Sequence, residues 1–113
     1  MFNNSFLKKL NILFIESNTE DREHFSNILY KFFNNVVVCS NGKDGIDNFL
    51  EKRQEYFLDI IICDKTLEDI TGIEVLKKIR EIDSEIPFII TSPKIEVDDL
   101  LIAIKYKATD YLS

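Results

Sequence analysis

A chain of 113 residues with 45% hydrophobic and 30% charged residues suits one globular domain and is too short for two. Its net charge of −6, with the lysines scattered among acids, argues against a nucleic-acid-binding surface. Three Gly and two Pro leave little material for long irregular loops, and no apolar run approaches the roughly 18 residues that a membrane helix needs.

In chain order, the N-terminal MFNNSFLKKLNILFI carries two lysines and a short apolar stretch but no small-residue cleavage site, so it does not read as a signal peptide. The first strand is expected at Ile12 to Ile15. Phe25, Ile28, Leu29 and Phe32 follow at i, i+3, i+4 and i+7, one apolar helical stripe. Ser17, Asn18 and Thr19 are candidate N-caps, and Glu20, Asp21 and Glu23 suit the positive end of the helix dipole. His24, the single histidine, falls on the exposed side. A second strand is expected at Val36 to Cys39, and a helix after Asn41-Gly42 with Ile46, Phe49 and Leu50 inward. The third strand is Ile60 to Cys63, and the helix opened by Gly72 buries Ile73, Val75, Leu76 and Ile79. Glu68-Asp69 reads as a solvated loop, and Lys77, Lys78 and Arg80 as a solvated helix face. A fourth strand at Phe88 to Ile90 precedes a helix with Val97, Leu100, Leu101 and Ile104 inward and Glu96, Asp98 and Asp99 near its start. A weaker fifth strand lies at Tyr111 to Leu112.

The order βαβαβαβαβ with short connections implies a parallel sheet with helices on both faces. Continuous apolar runs suggest strands buried on both sides. Cys39 and Cys63 each end such a run and are read as buried free thiols, in a reducing and therefore cytoplasmic setting. The whole of residues 1–113 is read as one domain that stops just after its fifth strand, before a final helix.

Ligands of open α/β sheets bind beyond the carboxyl ends of the strands. Those ends read Glu16-Ser17, Asp64-Lys65-Thr66 and Thr91-Ser92. Carboxylates, hydroxyls and carbonyls together can hold Mg²⁺ and a phosphoryl group. Asp64 leaves the core directly after four apolar residues, and an aspartate carboxylate can act as a nucleophile on phosphorus.

The segment DIIICDKTLEDITGIEVLKKIR resembles the central stretch of bacterial two-component response regulator receiver domains. NILFIESNTEDRE is similar to the family's first strand and acidic pocket, IPFIITSPK to its fourth strand, and ATDYLS to the start of its fifth. The resemblance implies a CheY-like (flavodoxin-like) doubly wound sheet of five parallel strands in the order 2-1-3-4-5. It also implies Asp64 as phosphoacceptor, with a histidine kinase or phosphotransfer protein as partner. Mg²⁺ would be held by Glu16, Asp64 and the Thr66 backbone carbonyl. Ser92, five residues after Pro87, matches the switch hydroxyl, and Tyr111 an aromatic that changes rotamer with it. Thr91, one residue earlier, is expected to face the core. The output face would surround the fourth helix and fifth strand. A homodimer through that face, or through the sheet face left open by the missing helix, is an expected association. The chain is not expected to be an enzyme beyond its own phosphotransfer, to touch nucleic acid, or to enter a membrane.

The sequence departs from the family pattern at three points. Ser17 stands where a second acid normally ligates Mg²⁺, and a neutral hydroxyl is a poorer partner for a hard dication. Asn18 or a water could take its place. Pro93 replaces a small residue and stiffens the loop that must move. The family's lysine falls at the residue after Ser113, and neither Lys65 nor Lys94 occupies its strand end. A degenerate receiver that works as an interaction or dimerisation module is the alternative. A flavodoxin-like cofactor binder is disfavoured by the acids of Glu16-Ser17-Asn18-Thr19-Glu20. An ATPase-type DKTGT loop is excluded by Leu67-Glu68.

Overall fold

The computed structural model describes residues 6–93, 102 and 105–112. The helix expected around Val97, Leu100, Leu101 and Ile104, its acids Glu96, Asp98 and Asp99, and Lys94 lie outside the described residues.

Strands β1 (Ile12–Ile15), β2 (Val36–Cys39), β3 (Ile60–Asp64), β4 (Phe88–Thr91) and β5 (Asp110–Leu112) form one sheet in the order β2-β1-β3-β4-β5. All four pairings are parallel. The order reverses between β1 and β3, which opens a crevice at their carboxyl ends. Strands β3 and β4 each run one residue further than the sequence suggested, because Asp64 and Thr91 pair with one another in the ladder.

The helices start where their caps dictate. In α1 (Thr19–Phe32) the Asn18 side chain accepts from the Asp21 amide at 2.9 Å. In α2 (Gly42–Lys52) Asn41 accepts from the Asp44 amide at 2.9 Å. In α3 (Gly72–Ile82) Thr71 accepts from the Glu74 amide at 3.1 Å. Each bond satisfies a helix N–H that has no intrahelical partner.

The main core lies on the sheet face covered by α2 and α3. Leu13, Ile15, Ile61, Cys63, Phe88 and Ile90 meet Phe49, Val75, Leu76 and Ile79 there. Ile102, Tyr106 and Tyr111 pack against this cluster. Burying a side chain of this size contributes about 1.5–3 kcal/mol.

The expectation of strands buried on both faces holds only for β1, whose four residues are all buried. In β3 and β4 buried and half-buried residues alternate. The reason is coverage. The other face is packed by α1, which contacts β2, while its Phe25 and Ile28 remain 47% and 37% exposed.

Two surface readings are also corrected. Arg80 is not simply solvated: its guanidinium donates to the carbonyls of Tyr106 (2.9 Å), Lys107 (2.8 Å) and Asp83 (3.2 Å). It thereby ties the end of α3 to the turn before β5. Asp69 is not a free loop acid. Its carboxylate accepts from the Gly42 and Lys43 amides at 2.8 and 2.9 Å, joining the β3–α3 loop to the start of α2.

Cys39 and Cys63 are free and buried, as the sequence implied. Burial pushes the Cys39 thiol up to about 11, and Cys63, fully enclosed, is raised as well. The thiolate is the reactive form. Thiol titration at pH 8 is therefore expected to find no fast-reacting group in the folded protein and two after denaturation. Rapid modification of either without unfolding would contradict this packing.

Candidate phosphoryl-acceptor site

At the carboxyl end of the sheet a cleft of about 730 Å³ is lined by residues of the first, third and fourth strand ends and of α1. Glu16, Asp64, Thr66 and Ser92 all line it, so four of the six residues singled out from the sequence converge. The lining continues into an apolar trough of Phe14, Phe25, Leu29, Ile62 and Leu112.

Asp64 sits at the last position of β3, half-buried, where the ladder ends. Burial raises its carboxyl above the usual aspartate value of 3.8, opposed by hydrogen bonds from the Thr91 hydroxyl and the Thr66 and Lys65 backbone. Glu16, only 7% exposed, is also raised by burial, and the charge of Asp64 pushes it further. Its carboxylate accepts from the Asn18 amide at 3.0 Å. Two partly desolvated carboxylates in one hollow, with their pKa values raised despite these hydrogen bonds, are an arrangement that a bound cation would stabilise.

Thr91 departs from expectation. It does not face the core. Its hydroxyl donates to Asp64 Oδ1 at 3.3 Å and its side chain lines the cleft. The cause is register: Asp64 and Thr91 are paired across parallel strands, so their side chains leave the sheet on the same face. Ser92, 5% exposed, follows at the strand end, its amide donating to the Leu112 carbonyl at 2.7 Å.

Asp21 was also missed as a site residue. It lines the cleft from the first turn of α1, and its charge raises both Glu16 and Asp64. The signal was present in the sequence: Asp21, Phe25 and Leu29 fall at i, i+4 and i+8, one face of the helix.

Two nominated residues are not brought into the lining. The Ser17 hydroxyl donates to the Ser40 carbonyl at 2.6 Å and accepts from the Glu68 amide at 3.0 Å. The Tyr111 ring is turned toward the main core, and its buried hydroxyl has no hydrogen-bond partner among the described residues.

The donor set is consistent with Mg²⁺, which commonly takes one or two carboxylates, retains waters and shares a substrate phosphate. Glu16, Asp21 and Asp64 are the carboxylates in the lining, with Asn18, Thr66, Thr91 and Ser92 as further oxygen-bearing residues. Among the described residues there is no group of three or more His, Cys, Asp or Glu side chains able to hold a metal by themselves.

Comparison with known proteins places the chain in a family and the fold among solved structures. ZraR, a transcriptional regulatory protein of Klebsiella oxytoca, is 35% identical over 77 residues, 68% of this chain and 16% of that protein. The response regulator ArlR of Staphylococcus aureus is 36% identical over 78 residues, 69% of this chain and 33% of that protein. The chain thus corresponds to a minor part of these relatives. An N-terminal domain of an uncharacterised Wolinella succinogenes protein superposes with a TM-score of 0.81 at 26% identity, covering 90% of this chain and 79% of that one. A response regulator receiver domain from Clostridium thermocellum shares the fold with a TM-score of 0.82 at 24% identity, covering 91% and 80%. The family model described as response regulator receiver domain matches residues 12–113, and the chain belongs to that family.

Proposed function

We propose that the chain is a phosphoacceptor receiver of a two-component phosphorelay, taking a phosphoryl group from a histidine kinase or phosphotransfer protein onto Asp64. The observation that carries this reading is the position of Asp64: the terminal residue of a central strand, opening into a cleft shared with Glu16, Thr66 and Ser92. An Asp64 carboxylate oxygen attacks phosphorus in line, the phosphorus–nitrogen bond of the donor breaks, and the imidazole leaves with that electron pair. Glu16, Asp64 and the Thr66 carbonyl would hold a Mg²⁺, whose chemistry is to neutralise charge on the phosphoryl oxygens. The Thr91 hydroxyl keeps Asp64 oriented before transfer. Ser92 then bonds to the modified side chain, and Tyr111 changes rotamer with it. This biases the face around the fourth helix and β5 between two existing arrangements.

The domain works in the cytoplasm in this reading, consistent with the absence, among the described residues, of any helix long and apolar enough to cross a membrane. The output face and the apolar trough are the surfaces open to a partner or a second copy. The activity is self-modification and not turnover of a separate substrate.

The test is incubation with acetyl phosphate and Mg²⁺ followed by intact-mass analysis. One added phosphoryl group is expected, and its persistence in Asp64→Asn would overturn the assignment. A second reading, an interaction module that works without phosphorylation, is favoured by the turning of Ser17 away from the cleft lining. Under that reading the wild type gains no mass at any Mg²⁺ concentration.

A further inference from the structure

The loops that follow β1, β2 and β3 meet at one side chain. The Ser17 hydroxyl donates to the Ser40 carbonyl at 2.6 Å and accepts from the Glu68 amide at 3.0 Å. A hydroxyl has a single O–H to give, so its donor capacity is spent on Ser40. The residue is also held through its own backbone. Arg22 donates to the Ser17 carbonyl at 3.0 Å and to the Glu16 carbonyl at 3.1 Å. On its other side the same β3–α3 loop is tied to α2 through Asp69. Thr66 lies in the segment between Asp64 and this double attachment.

We infer that Ser17 is a positioning residue: its hydroxyl assembles the three loops that frame Asp64, and the frame is ordered without any cation. A carboxylate at this position could accept from the Glu68 amide but could not donate to the Ser40 carbonyl. It would leave that carbonyl facing a negative charge, a contact that a cation bound between the two oxygens would relieve. A hydroxyl and an acid are therefore two different ways of joining the same loops. The first is complete in itself, and the second depends on metal. The inference rests on the receiver reading for the identity of the cation alone, because the hydrogen bonds exist whatever Asp64 does.

The test is residue-resolved amide hydrogen exchange at Glu68, in chelator and in excess Mg²⁺, with the β3 amide of Ile62 as a core reference. In wild type, protection at Glu68 is expected to be the same in both buffers. Ser17→Ala is expected to lose it by roughly fivefold, the value of one net hydrogen bond, with Ile62 unchanged. Ser17→Thr, which keeps the hydroxyl, is expected to restore it. Ser17→Asp is expected to be unprotected in chelator and protected in Mg²⁺. The inference is overturned if wild-type protection appears only with Mg²⁺, or if Glu68 and Ile62 lose protection by the same factor in Ser17→Ala. It is also overturned if Glu68 is unaffected by that change. Acetyl phosphate labelling of Asp64 is a separate measurement, so failure of the phosphoacceptor reading is told apart from failure of this one.

Discussion

Replacing Gly72 with Ala is expected to destabilise the fold by about 3 kcal/mol and to impair the site along with it. A Cβ on Gly72 would stand 2.4 Å from the Asp64 carbonyl oxygen, 3.0 Å from Lys65 Cα and 3.1 Å from the Asp64 carbonyl carbon. All three are backbone atoms, so no rotamer change can relieve the contact. The Gly72 amide also donates to the Lys65 carbonyl at 2.7 Å, which clamps the start of α3 onto the loop that leaves the acceptor. Either the helix shifts or the Asp64 backbone does. The gain in helix propensity from Gly to Ala, at most about 1 kcal/mol, does not offset this. Gly45→Ala is the control. There the Cβ would meet the Ile15 side chain at 2.4 and 2.8 Å, and a side chain can move where backbone cannot. Urea unfolding should lower the Gly72→Ala midpoint by about 1 M or more, with a smaller change for Gly45→Ala. Equal midpoints would mean that helix and acceptor strand are not in this contact.

Gly72 also shows why part of the site was legible in advance. A Gly opening a helix a few residues after an Asp at a strand end is a pattern in the chain itself. So is the position of Asp64 after four apolar residues, because burial of a strand and exposure of its end follow from composition. Element types could be read from the alternation of short apolar runs with helical stripes, whereas the strand order was implied only by the resemblance to receiver domains. Thr91 could not be placed, because its face depends on which residue of β3 it pairs with, and register is a property of two strands. The ties made by Ser17 and Asp69 were illegible for the same reason: their partners lie 23 to 51 and 26 to 27 residues away along the chain. Asp21 was misread for a different reason. An acid in the first turn of a helix satisfies the dipole rule, and that sufficient local explanation hid its place on the same face as Phe25 and Leu29.

Asp64→Asn is expected to abolish phosphoryl uptake and, at pH 7, to make the protein more stable than wild type by a few degrees of melting temperature. The two effects have one cause. Burial raises the Asp64 carboxyl above its ordinary value of 3.8, and Glu16 is raised by burial and by the charge of Asp64. A carboxyl with a raised folded pKa binds its proton more tightly in the native state than in the unfolded chain. Its ionisation therefore opposes folding once the pH exceeds the folded pKa, and stability is recovered as the pH falls back through that pKa toward the ordinary value. Asparagine removes the charge, keeps an oxygen to accept from Thr91, and relieves Glu16. Asp69 behaves oppositely. Burial alone would raise it, but the Lys43, Gly42 and Ile70 amides outweigh burial and hold it low, so its contribution is lost as the pH drops. Because Asp69 is common to both proteins, it cancels in the difference between mutant and wild type. That difference should be positive at pH 7 and shrink as the pH is lowered through the raised Asp64 pKa, where the wild-type carboxyl takes up its own proton. A variant less stable than wild type at pH 7 would mean that the charge on Asp64 is already satisfied by its neighbours.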